Sequence, residues 1–173
     1  GPEHPDVASC HNNLGSVYRL MGKSEKAIEC HEKALAIQLK VFGPEHPSVA
    51  INFGNLSSAY LEQGDPDKAI GYLTKTLDSL SKSLGPDHPH VANTYSILAT
   101  AYSRKADFDK AIAYSEKALA IQLKTQGPEH PKIAKNYDQI SQAYRSKGQY
   151  DKAIQYSERA LAIEFKTWGP EHP

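Results

Sequence analysis

Histidine recurs at one position of the chain, as His4, His46, His88, His130 and His172, each between an acidic residue and a proline. A repeated histidine invites a metal-site reading. Two ligands of one zinc ion stand within about 4 Å of each other, whereas packed helices lie about 8–10 Å apart, so histidines one period apart do not reach a shared ion. A helix-cap role suits them better, because the following proline pushes each histidine into an extended conformation. His88 and His90 form an isolated pair, and His31-Glu32 lacks the second histidine of a zinc-protease helix, so His31 reads as an ordinary helix-surface residue. Cys10 and Cys30 are too few for a disulfide framework and are consistent with a reducing compartment. No nucleophile elbow, phosphate loop or dinucleotide-binding glycine run occurs, so no catalytic residue, cofactor or metal is assigned.

A second set of residues suits recognition chemistry. Asn12, Asn13, Ser16, Arg19, Asn55, Asn93, Arg104, Lys135, Gln142 and Arg145 offer amide, hydroxyl and cationic donors. Donors in a row match the backbone carbonyls and carboxylates of an extended peptide. A merely solvated polar face is the alternative reading.

Both sets depend on the elements that carry them, and those elements repeat. Gly-Pro-acid-His-Pro begins at Gly1, Gly43, Gly85, Gly127 and Gly169, always 42 residues apart. The period defines repeats 1–42, 43–84, 85–126 and 127–168, with a stub of a fifth at 169–173. In each repeat, apolar residues at spacings of four, three and four mark a first helix with one buried stripe: Val7, His11, Leu14 and Tyr18, then Val49, Phe53, Leu56 and Tyr60, and so on. A second helix follows, with Ala27, Ile28, His31, Ala34 and Leu35 on one side in the first repeat. Gly43, Gly85 and Gly127 are expected to end the second helices in left-handed geometry. Gly22, Gly64 and Gly148 mark the turn inside each pair, and Ala106 stands in their place in the third repeat. Turns this short make antiparallel pairs that bury both apolar faces only by stacking. The expectation is an all-α, right-handed superhelical solenoid of four helix-turn-helix repeats with a concave and a convex side, the polar row lying on the concave side.

Leu14-Gly15-x-x-Tyr18, Gly22, Ala27 and Ala34-Leu35 together resemble the tetratricopeptide repeat, lengthened by eight residues. His4-Pro5-Asp6-Val7-Ala8, the Asn12-Asn13-Leu14-Gly15 run and the Gly-Pro-x-His-Pro connector are similar to the longer repeats of kinesin light chain and nephrocystin. The resemblance covers the whole chain and implies a protein-binding scaffold. Asn12 and Asn13 match an asparagine-rich first helix that holds an extended cargo peptide in kinesin light chains. Asn55 matches in the second repeat, Ile97 replaces it in the third and Gln139 substitutes in the fourth.

The totals are compatible with this. The chain has 173 residues, 39% of them apolar, and its 20 basic residues balance its 20 acidic ones, so no global field draws nucleic acid or an anionic membrane. With a mean hydropathy of -0.57, no bilayer-spanning stretch and no signal peptide at its start, a cytoplasmic location is the expectation. Ile154, Leu161, Phe165 and Trp168 would face a further repeat. We expect an exposed apolar end, a piece of a longer array, and end-to-end self-association through the terminal repeats.

Overall fold

The computed structural model describes residues 3–168, the Trp168 side chain excepted. The stub at 169–173, with Gly169 and His172, lies outside the described residues, as does Gly1. The described residues form eight helices and no strand: α1 (Pro5–Leu20), α2 (Ser24–Phe42), α3 (Pro47–Gln63), α4 (Pro66–Leu84), α5 (Pro89–Arg104), α6 (Phe108–Gln126), α7 (Pro131–Ser146) and α8 (Tyr150–Trp168). They are arranged as two compact units, Gly1–Pro86 and Asp87–Pro173, each of two helical hairpins. In one unit α2 packs between α1 and α3, and α4 closes on α3. In the other, α6 packs between α5 and α7, and α8 closes on α7.

The caps explain why the helices start where they do. His4, His46, His88 and His130 are extended, with φ between -74° and -72°, and the Nδ1 atom of each accepts a hydrogen bond at 3.2 Å from the backbone N–H two residues on. A proline follows in each case, where its missing N–H costs nothing. The second helices α4 and α6 use Asp65 and Asp107, whose carboxylates accept from Lys68 and Lys110 N–H. Each connector acid reaches a lysine in the last turn of its own hairpin: Glu3 to Lys40, Glu45 to Lys82, Asp87 to Lys124 and Glu129 to Lys166. These pairs are exposed and contribute about 0–1 kcal/mol each.

The two kinds of turn differ. Inside the hairpins, Gly22, Gly64, Ala106 and Gly148 have φ of 70°, 87°, 59° and 72°. The residue after each bonds back to Tyr18, Tyr60, Tyr102 or Tyr144, which closes the helix end. The connector glycines depart from the expected left-handed geometry. Gly43, Gly85 and Gly127 combine φ of 79°, 90° and 81° with ψ of 171°, 156° and 164°, a region open in practice to glycine alone. The extended ψ swings the chain away from the finished helix and into the next cap.

Packing follows the stripes in three repeats of four. Val49, Leu56, Val91, Leu98, Ile133 and Ile140 are fully buried. The first repeat deviates: Leu14 is 44% exposed, because its side of α1 has no helix against it among the described residues. Small residues sit where a second helix crosses the first. A Cβ on Gly15 would lie 2.8 Å from the His31 ring, and Ser57, Ala99 and Ser141 are buried at the same position. Aromatic rings stack along the last three hairpins as Tyr60 on Tyr72, Tyr102 on Tyr114 and Tyr144 on Tyr156, with centroids 5.2–5.6 Å apart. Lys68, Lys110 and Lys152 cover the outer ring at 5.1 Å.

The strained position is the alanine. Ala106→Gly is expected to raise the unfolding free energy by about 1 kcal/mol, by removing a left-handed Cβ, and Gly85→Ala to lower it by about 1–3 kcal/mol. Urea unfolding followed by circular dichroism measures both.

Candidate functional site

In the first unit the polar row is largely spent on the fold. Asn12 Oδ1 lies 3.0 Å from Nδ1 of His31, so the carbonyl oxygen accepts and Nδ1 carries the proton. His31 is wholly buried against Gly15, and its Nε2 has no partner among the described residues. Thus His31 is a core residue on the buried side of α2 with Ala27, Ile28, Ala34 and Leu35, as its place on the apolar face implies and against its reading as an ordinary helix-surface residue. Burial holds its pKa below the ordinary value, and the Arg19 charge adds to this, since a proton on Nε2 would find no acceptor. Arg19 itself donates to Glu62 of α3 at 2.7 Å. Ser16 returns its hydroxyl to the Asn12 carbonyl at 3.0 Å. Asn13 is exposed and Asn55 half-buried. Leu61, at the position equivalent to Arg19, is buried.

The second unit leaves more of its row open. Lys135, Gln142 and Arg145 are all exposed on α7, seven and three residues apart and so on one side. None of the three spends its donors on a hydrogen bond or ion pair among the described residues. Asn93 and Arg104 of α5 are exposed too. Ser96 and Thr100 are turned instead to the neighbouring hairpin: Ser96 donates to Asn136 at 2.8 Å, and Gln139 donates to Thr100 at 2.8 Å.

A cleft of about 510 Å³ opens between α7 and α8. Gln142, Arg145 and Asp138 form one wall, and Tyr150, Ile154 and Leu161 the apolar other. Burial pushes the Asp138 carboxyl up, and the Glu164 carboxylate adds to the rise. Ser141 closes the floor, donating to the Ala153 carbonyl at 2.8 Å and meeting the Ser157 hydroxyl at 2.7 Å.

Sequence periodicity placed these residues on first helices but did not reveal which were engaged. The Asn12–His31 and Arg19–Glu62 contacts join different helices and have no spacing signature. Among the described residues, no group of three or more histidine, cysteine, aspartate or glutamate side chains is gathered as a metal site, and no helix is long and apolar enough to cross a membrane.

Comparison with known proteins agrees with this geometry. A tetratricopeptide repeat model matches residues 6–82, 69–124 and 91–163. Among solved structures the chain is similar to BtubC (BKLC) from P. vanneervenii, at 26% identity with a TM-score of 0.87, covering 98% of this chain and 68% of that one. It is similar to the nearly identical TPR-like repeats of a kinesin light chain protein from Podosopora anserina, at 31% identity and a TM-score of 0.84, covering 98% and 81%. MamA is similar at 25% identity and a TM-score of 0.71, covering 94% and 81%. No curated protein matches the chain.

The buried imidazole ties stability to pH. Its folded pKa lies below its unfolded one, so the unfolded chain binds the proton first and stability falls as pH drops below about 6.5. His31→Ser, which installs the residue found at Ser115 and Ser157, is expected to remove that component. Urea midpoints of both proteins from pH 7.5 down to 5.5 measure the difference.

Proposed function

We propose, for a chain that belongs to the tetratricopeptide repeat family and is an all-α scaffold for protein interaction, that the polar side of its first helices holds a short extended peptide carrying carboxylates. The observation that carries this is the unspent row on α7. Lys135, Gln142 and Arg145 present two cations and an amide along one exposed side. Carboxylates and backbone carbonyls of an extended strand are the complement of such donors. Asn93, exposed on α5 of the same unit, adds an amide. Asn12 and Arg19 support the fold of their own unit first and contribute to recognition second. The chain acts as a scaffold without catalysis of its own, in the cytoplasm, where free thiols such as Cys10 and Cys30 persist.

A second reading treats the repeats as a structural spacer that stacks end to end. It is favoured by apolar side chains on α1 and α8: Leu14, Val17 and Leu20 are 44–80% exposed, and Ile154, Leu161 and Phe165 are 50–56% exposed.

A peptide array of acidic, neutral and basic extended 12-residue segments tests the first reading. Acidic segments are expected to bind, with Lys135→Ala and Arg145→Ala each weakening them about two- to fivefold, the size of one exposed ion pair. No binding of any extended segment, or binding indifferent to both substitutions, would leave the spacer reading.

A further inference from the structure

The outer face of α8 carries a recognition code of its own, which the interface one repeat earlier makes readable. There α7 lies against α6, with Ile140 and Ala143 packed on Ala111 and Ile112 and with Phe108 and Leu119 around them. Forty-two residues on, the same positions are Ala153, Ile154, Tyr150 and Leu161. Ile112 is 7% exposed under α7, whereas Ile154 is 56% exposed and lines the cleft. The α8 face is therefore shaped for a helix of the α7 kind.

Its chemistry differs at one point. In the α6–α7 interface, Asn136 is held between two neutral groups, accepting from Ser96 at 2.8 Å and donating to Gln122 at 2.5 Å. The equivalents of Ser96 and Gln122 on the outer face are Asp138 and Glu164, two carboxyl groups close enough to feel one another. An asparagine placed there could donate to one of them and would turn its own carbonyl on the other. A lysine or arginine has donors for both and offsets one of the two charges.

We infer that the α8 face binds an amphipathic helix carrying a lysine or arginine where α7 carries Asn136, an isoleucine or leucine four residues later and an alanine seven residues later. The alanine is required because Ala143 is 1% exposed at the equivalent contact, where a larger side chain overpacks. A second copy of this chain is a poor occupant. Its α1 offers Cys10 in the place of the cation and Val17 in the place of the alanine. The inference is independent of the extended-peptide reading, which concerns a different occupant and the opposite charge.

Three fluorescein-labelled peptides test it: the Pro131–Ser146 sequence itself, the same with Asn136→Lys, and the same with Asn136→Glu. The cost of helix formation is nearly common to all three and drops out of their ratios. Anisotropy titrations against the whole chain are expected to show the Asn136→Lys peptide binding at least about tenfold tighter than the unsubstituted one, and the Asn136→Glu peptide weakest. In the chain, Glu164→Gln should shrink the lysine preference severalfold, and Leu161→Asp, at a half-exposed position, should abolish binding of all three while the circular dichroism spectrum is kept. Equal affinity for the lysine and asparagine peptides, absence of binding by any of them, or binding untouched by Leu161→Asp overturns the inference. So does concentration-dependent self-association in sedimentation that Leu161→Asp removes, since the occupant would then be a second copy. Loss of extended-peptide binding on Lys135→Ala, at a position outside the cleft, bears only on the extended-peptide reading and leaves this result as it stands.

Discussion

An antiparallel pair of helices of this length has more apolar surface than one pair can hide. The side of α3 that meets α4 is satisfied within the hairpin, with Phe53 against Tyr72, and α2 covers another side of the same helix. The same holds for α7 between α6 and α8. Burial of these stripes dominates the favourable side of the balance at about 25 cal/mol per Å² of apolar area. Within each unit it also demands that the second hairpin meet the first at a fixed angle and distance, which the connector through Gly43 or Gly127 sets.

That geometry rests on a few backbone groups. A glycine in a conformation closed to other residues breaks α2, α4 and α6, a proline prevents their resumption, and a histidine imidazole takes the orphan N–H at the start of the next helix. The connector acid then returns to a lysine of its own hairpin, a weak contact that adds direction more than stability. Between hairpins, polar locks replace shape as the source of register. Asn52 donates to Gln38 and to the His31 carbonyl, and Asn136 joins Ser96 to Gln122. Buried polar groups are costly when unpaired, so each lock penalises a slipped or foreign neighbour more than it strengthens the right one.

Function is what remains after these demands are met. In the first unit Asn12 and Arg19 are drawn into the fold by His31 and Glu62. In the second, Lys135, Gln142 and Arg145 are not, and Asp138 and Ser157 stand where Asn12 and His31 make their contact. Chemistry available to a partner is concentrated on α7 and α8, where the cleft combines an apolar wall with both signs of charge.

Much of this was legible in the residues alone. A 42-residue period, apolar spacing of four, three and four, and glycine and proline at fixed offsets are local signals, each acting through the chain's own dihedral angles or a single helix face, so they determined helix number, boundaries, caps and the strained Ala106. Which polar side chains stay free was decided only by tertiary structure. His31 becomes a buried, partly unsatisfied imidazole because Gly15 leaves room for it from another helix, and Leu14 is exposed because nothing among the described residues covers its side of α1. Contacts of that kind depend on distances across helices, and no spacing within one helix encodes them.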